Sequence, residues 1–209
     1  LREMMSFGGW SSVSRIVMTI MLQIDRLVVA LLGSVSGLTY YAVPANLASR
    51  INVLGSPMAS LFFSRVSFLS AGKKSNELAQ QHARASRFLA CIAAAAAVPL
   101  ATLGPDFLRV WIGGEMALRG GPVLIALTCG YAIISVASLD AVTLEGCGRP
   151  DLTAKVMFGW AIVAVSSSLM LVPRFGSRGI GFAVSLWLIG VGISNMVLVR
   201  RFVLKGSHR

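Results

Sequence analysis

Four residues stand where so apolar a chain has little use for them. Asp25 and Arg26 lie side by side in "MLQIDRLVVALLG", and Asn46 and Arg50 lie one helical turn apart in "VPANLASRINVLG". An ionised group near the centre of a bilayer costs at least about 2.5 to 3.5 kcal/mol, so such groups face a partner or a wet cavity. Adjacent helical residues point about 100° apart, which makes Asp25 and Arg26 poor partners for each other. Residues four apart share a face, as Asn46 and Arg50 do. Counted from the turn "GSVSG" at about 1.5 Å per residue, Asp25 lies about 12 Å deep, Arg26 about 10 Å, Asn46 about 13 Å and Arg50 about 19 Å. The gap of about 7 Å between Asp25 and Arg50 is within reach of a long side chain. This reading pairs Asp25 with Arg50, sets Asn46 beside them and leaves Arg26 for solvent or a ligand. An ion pair that merely locks two helices is the competing reading. Arg15, about 27 Å down, can snorkel to the inner interface, and Arg65, at about 42 Å, is past the hydrocarbon.

These depths presuppose a membrane, and the composition supports one. Of 209 residues 56% are hydrophobic and 13% charged, with a mean hydropathy of +0.76. Soluble domains carry about a quarter charged residues. Several runs reach the roughly 17 to 25 apolar residues that a helix needs to cross about 30 Å of hydrocarbon. The expected class is all-α: a polytopic membrane protein with six transmembrane helices, near residues 6–33, 38–69, 86–104, 121–144, 154–173 and 180–200. The runs lack the alternation of barrel strands. The chain opens at Leu1 without a short cationic leader, so a fragment of a longer protein is expected.

Lys and Arg are in excess in cytoplasmic loops. With alternating spans, eleven fall on one side, among them Lys73, Lys74, Arg84, Arg87, Arg149, Lys155, Arg200 and Arg201, against Arg109, Arg119, Arg174 and Arg178 on the other. Both ends of the chain and the 71–87 loop are therefore expected in the cytoplasm. That loop, "KKSNELAQQHARASR", reads as a polar surface helix with its basic residues near anionic headgroups of the membrane lipids, and with His82 solvated on it. Asp140, about 18 residues into the fourth span, is read as solvated near the cytoplasmic end, with a structural or coupling-ion role as the sharper alternative. Pro44 and Pro57 interrupt the second span, where each removes a backbone hydrogen bond and can kink or hinge the helix. Cys91, Cys129 and Cys147 have no metal-ligand spacing and read as packing residues.

The net charge of +11 does not point to nucleic acid, because the bases fall in scattered clusters between apolar runs with no recognition motif. No metal, cofactor or catalytic centre is expected: none of the eight acids forms the D-x-D cluster of a metal-dependent sugar transferase. Asp106 after "GP" reads as a helix start. There is no P-loop, so energy for transport would come from an ion gradient or the substrate's own gradient.

The ordered pieces "FGGWSSVSRIV", "IDRLVVALLGS", "TYYAVPANLASRINVLGSPMASLFFSRVS", "LGPDFLRVWIGGE", "LEGCGRPDLTA" and "VPRFGSRGIGFAVS" resemble the polysaccharide (O-antigen type) flippases of the multidrug/oligosaccharidyl-lipid/polysaccharide exporter superfamily. Their order matches the second six-helix lobe and covers nearly the whole chain. The pattern departs at "LFFSRVS", where relatives often carry a proline and this chain has Ser64. The resemblance implies one lobe of a two-lobed transporter in a bacterial inner membrane, with the N-terminal lobe as its missing partner. It implies alternating access that moves a lipid-diphosphate-linked oligosaccharide, with Arg15, Arg26 and Arg50 matching the cationic cavity residues by position. Guanidinium groups can replace the diphosphate's lost hydration with forked hydrogen bonds. A drug/cation exporter or cell-wall precursor flippase of the same superfamily is the first alternative, and a membrane enzyme of polysaccharide synthesis the second.

Overall fold

The computed structural model describes residues 35–72 and 75–204, together with Ser12, Ile16, Thr19 and Ile20. The predicted first span lies almost wholly outside the described residues. Five α-helices follow, and no strand occurs among the described residues: α1 (Val35–Ala71), α2 (Ser75–Trp111), α3 (Gly114–Gly146), α4 (Pro150–Phe175) and α5 (Ser177–Val199), which ends in a π-helical turn, Arg200–Leu204. Among the described residues five helices stand where six spans were expected over the whole chain, and each of the five runs beyond its expected bounds at one or both ends. The 71–87 segment is not a separate surface helix: from Ser75 it is the start of α2, which continues through Pro99 and Pro105 to Trp111. Asp106 lies inside that helix and starts nothing. At about 1.5 Å per residue, the 37 residues of α2 span far more than about 30 Å of hydrocarbon, so the helix carries its polar first turns beyond the lipid.

Turns of one to three residues join α2 through α5, and each holds a glycine with positive φ: Gly113 at 134°, Gly148 at 78° and Gly176 at 58°. Side chains with a Cβ rarely adopt that backbone, which is why "GG", "GCGRP" and "FGS" stop helices that apolarity would otherwise prolong. Pro150 then opens α4, where its missing N–H costs nothing.

Four helices, α2 to α5, are long and apolar enough to cross a membrane. The most apolar windows of α3 and α5 are 56% buried against 22% for α2 and α4, which makes α3 and α5 the interior of the bundle. The central helix is α3, packed against α1, α2 and α5, with α4 lying on α5. Leu124, Leu127 and Tyr131 of α3 meet Tyr41 and Ile51 of α1 and Ile180 and Leu188 of α5 in one core. Outward-facing Leu61, Val98, Val110, Leu118 and Met170 are 60 to 89% exposed, an inverted surface suited to hydrocarbon. Cys91 and Cys129, expected to pack inside, are exposed on this surface. The helix α1 falls outside the apolar set, because Asn46, Ser49, Arg50 and Asn52 occupy its middle.

Candidate functional site

Arg50 projects from the middle of α1 and is exposed. With Leu47 and Ile51 it forms one wall of a groove whose other wall is a stripe on α2 running from Ala96 through Pro99 and Leu103 to Phe107. Residues three and four apart on a helix align in this way, so each wall is one helical face. The groove measures about 520 Å³, and among the described residues Arg50 is the single charged one on its lining. Burial of small groups under it brings the helices close: Ala48, Ala93 and Ala97 are buried, and Gly104 admits the Leu124 side chain from α3. A guanidinium on an otherwise apolar wall can bind an anionic head through forked, charge-assisted hydrogen bonds while hydrocarbon lies along the rest.

Asn46 is exposed one turn before Arg50, and its carbonyl oxygen accepts a hydrogen bond from Ser49 Oγ at 2.9 Å. Asn46 and Arg50 therefore share the expected side of the helix, but Asn46 does not line the groove. Arg15, Asp25 and Arg26 lie outside the described residues, and with them the Asp25 to Arg50 pairing. Pro44 is buried where α1 meets Gly120 of α3, Pro57 is exposed, and α1 runs unbroken through both. Arg65 hydrogen-bonds through Nε to Gln81 Oε1 of α2 at 2.8 Å, near the end of α1.

Two readings are overturned at the same end of the bundle. His82 and Asp140, both expected in solvent, are 6% and 4% exposed. His82 Nε2 of α2 stands 3.0 Å from Asp140 Oδ1 of α3, an ion-pair distance off the line of a straight hydrogen bond. The reason is helix length: α3 continues six residues past Asp140 to Gly146, and α2 begins seven residues before His82, so each lies a turn or more inside its helix. An acid inside a span asks for a partner on a neighbouring helix, and that signal was present in the sequence. The pair adjoins a second cavity of about 400 Å³, lined also by Ser86, Arg87 and Arg200, none of which sequence reasoning selected for a site.

At the opposite end, Arg119 pairs with Glu115 at 3.1 Å and stacks 5.2 Å over the Tyr40 ring, bracing α3 against α1. Arg178 Nη2 donates to the Leu118 carbonyl at 2.8 Å and ties the start of α5 to α3. Among the described residues no three His, Cys, Asp or Glu side chains gather as a metal would require.

The model of the family described as "Polysaccharide biosynthesis protein" matches residues 1–116, more than half of the chain. The chain belongs to that family. Two curated relatives align with most of it. A candidate O-antigen transporter of Shigella flexneri is 21% identical across 90% of this chain and 44% of its own length. The uncharacterised membrane protein EpsK of Bacillus subtilis strain 168 is 25% identical across 91% of this chain and 43% of its own length. The chain thus spans less than half the length of these relatives. Family membership and the apolar helices together make it a multi-pass membrane protein of polysaccharide biosynthesis, and the family match takes in all of α1 and α2, the helices that build the Arg50 groove.

Proposed function

We propose that this chain is one lobe of a flippase that moves lipid-diphosphate-linked oligosaccharide or polysaccharide precursors across a bacterial cytoplasmic membrane by alternating access. The observation that carries this reading is the position of Arg50: one guanidinium on an apolar groove midway along α1, the one of the five described helices that falls outside the set apolar enough to cross a membrane. A diphosphate on a long hydrocarbon carrier needs both features, a fixed cation for the head and an apolar track for the tail. The name of the Shigella flexneri relative agrees with a cargo of this class.

In this account Arg26 and Arg15 add cations from the first span, and Asn46 supplies a hydrogen bond from the Arg50 side of α1. Asp25 balances Arg50 when no cargo is bound. Pro44 and Pro57 are the points at which α1 bends between inward-open and outward-open states, and Asp140 holds α3 to α2 through His82. The missing lobe forms the opposite wall. The protein does no covalent chemistry, and both states must bind the cargo comparably for it to be released.

The test is vectorial transport. The full-length protein, reconstituted in vesicles, is expected to move a fluorescent lipid-diphosphate oligosaccharide between leaflets without nucleotide hydrolysis. A requirement for a hydrolysable nucleotide, or transfer of the sugar to an acceptor without movement of the lipid, would contradict it.

A further inference from the structure

The second cavity lies away from the Arg50 groove, where the first turns of α2, the last turns of α3 and the π-turn after α5 converge. Its floor is the buried His82 and Asp140 pair. Ser86 Oγ is buried beside them without a hydrogen-bond partner, and Arg87 and Arg200 form the exposed rim. Among the described residues Asp140 is the single acid on the lining, and its carboxylate already faces His82 at 3.0 Å. The two guanidinium groups therefore outnumber it, which gives the cavity a net charge of at least +1 and an unfilled hydroxyl within. Arg87 donates through Nε to the Ala83 carbonyl at 3.1 Å, a bond along its own helix that steadies the side chain at the rim.

We propose that this cavity seats the phosphate of an anionic membrane lipid, a singly charged phosphodiester, between Arg87 and Arg200, with Ser86 donating from below. Arg suits this task because its planar fork matches two phosphate oxygens at once. Basic pockets between transmembrane helices at a membrane face hold anionic headgroups in this manner. Two features select a lipid over free phosphate. Phe88, next to Arg87, is 58% exposed, and Phe202, two residues after Arg200, is 49% exposed, so apolar surface for acyl chains adjoins both cations. The same end of the bundle also presents Arg149, Lys155 and Arg201, which concentrate anionic lipid around it. Arg149 stacks 4.8 Å over the Phe202 ring.

The inference does not depend on what the protein transports, so it is tested by lipid retention, not by flux. Full-length protein is purified in detergent, exchanged into phosphatidylcholine with or without phosphatidylglycerol, and the lipid that stays bound is counted by native mass spectrometry. Arg87→Gln and Arg200→Gln are each expected to lower phosphatidylglycerol retention about fivefold. Arg84→Gln, which removes the same charge one turn before Arg87 from a side chain that does not line the cavity, is expected to leave retention unchanged. Helical circular dichroism and a monodisperse elution profile qualify each variant, and Arg87→Lys and Arg200→Lys replace any variant that fails them, with a partial loss expected. Undiminished retention in the Arg87 and Arg200 variants would overturn the proposal. So would an equal loss in Arg84→Gln, or inorganic phosphate competing as well as the lipid does.

Discussion

Asp140 of α3 and His82 of α2 face each other across a helix interface, Oδ1 3.0 Å from Nε2, with both side chains more than nine-tenths buried. Removing one partner of such a pair leaves an uncompensated buried group and costs about 3 to 5 kcal/mol, whereas replacing both by apolar residues is often close to neutral. His82→Ala is therefore expected to lower the melting temperature of the detergent-solubilised protein clearly. The double substitution His82→Leu with Asp140→Leu is expected to recover most of it. A thermal unfolding series on the wild type, both single variants and the double variant measures the coupling directly. Additive losses would mean that the two groups do not interact.

The sequence located this region without showing its geometry. The helical class and the existence of the later spans follow from apolar run length, a property of composition over some twenty residues. Helix ends were less legible: the polar first turns of α2 look like a loop because membrane helices are recognised by apolarity, and these turns are not apolar. That single error moved His82 to the surface. Asp140 was misplaced by the mirror-image error at the end of α3. For Arg50 the count from the outer turn was enough to mark it as costly in oil, but the groove beside it depends on Ala96, Pro99 and Phe107, some fifty residues away and individually uninformative. Arg87 was read with the other bases of its segment as lying near lipid headgroups and Arg200 only as one of the bases on the cytoplasmic side, since nothing local indicates that α2 and the end of α5 converge.

Gly190 of α5 lies beneath the indole of Trp160 on α4, and a methyl group added there would collide with the ring. The ring cannot easily swing away, because its Nε1 donates to Ser194 Oγ at 3.0 Å, one turn further along α5. Gly190→Ala is expected to destabilise the protein by about 1 to 3 kcal/mol through overpacking. The pairing of Gly190→Ala with Trp160→Phe, which frees the ring from Ser194, should cost less than the two losses summed. Thermal unfolding in detergent reads both.

Cys147 caps α3 in the turn before Pro150, and burial raises its thiol above the ordinary value, an effect partly offset by a hydrogen bond from Ser70. A raised value means less thiolate at neutral pH, and the thiolate is the reacting form. With Cys91 and Cys129 changed to Ser, maleimide labelling of Cys147 is expected to be slower than that of a free thiol at neutral pH. Its rate should climb past the ordinary range of about 8.5 as pH rises. Ser70→Ala removes the lowering contribution and should slow labelling further at the same pH.

The ends of α1, α3 and α5 that carry Arg65, Arg149, Arg200 and Arg201 are expected to face the cytoplasm. Single cysteines introduced in a Cys-free background at Arg201 and at Arg178 should separate cleanly in intact cells. A membrane-impermeant maleimide is expected to label position 178 before lysis and position 201 after it. The reverse order would invert the assignment.

The account as a whole turns on Arg50 meeting the anionic head of the cargo, and affinity measures that most directly. Binding of a polyprenyl diphosphate oligosaccharide to the full-length protein is expected to weaken about ten- to a hundredfold in Arg50→Gln, the loss typical of a hydrogen-bonded charge. Arg50→Lys, which keeps the charge but not the fork, should fall between the two. Wild-type affinity in a folded Arg50→Gln protein would contradict the account.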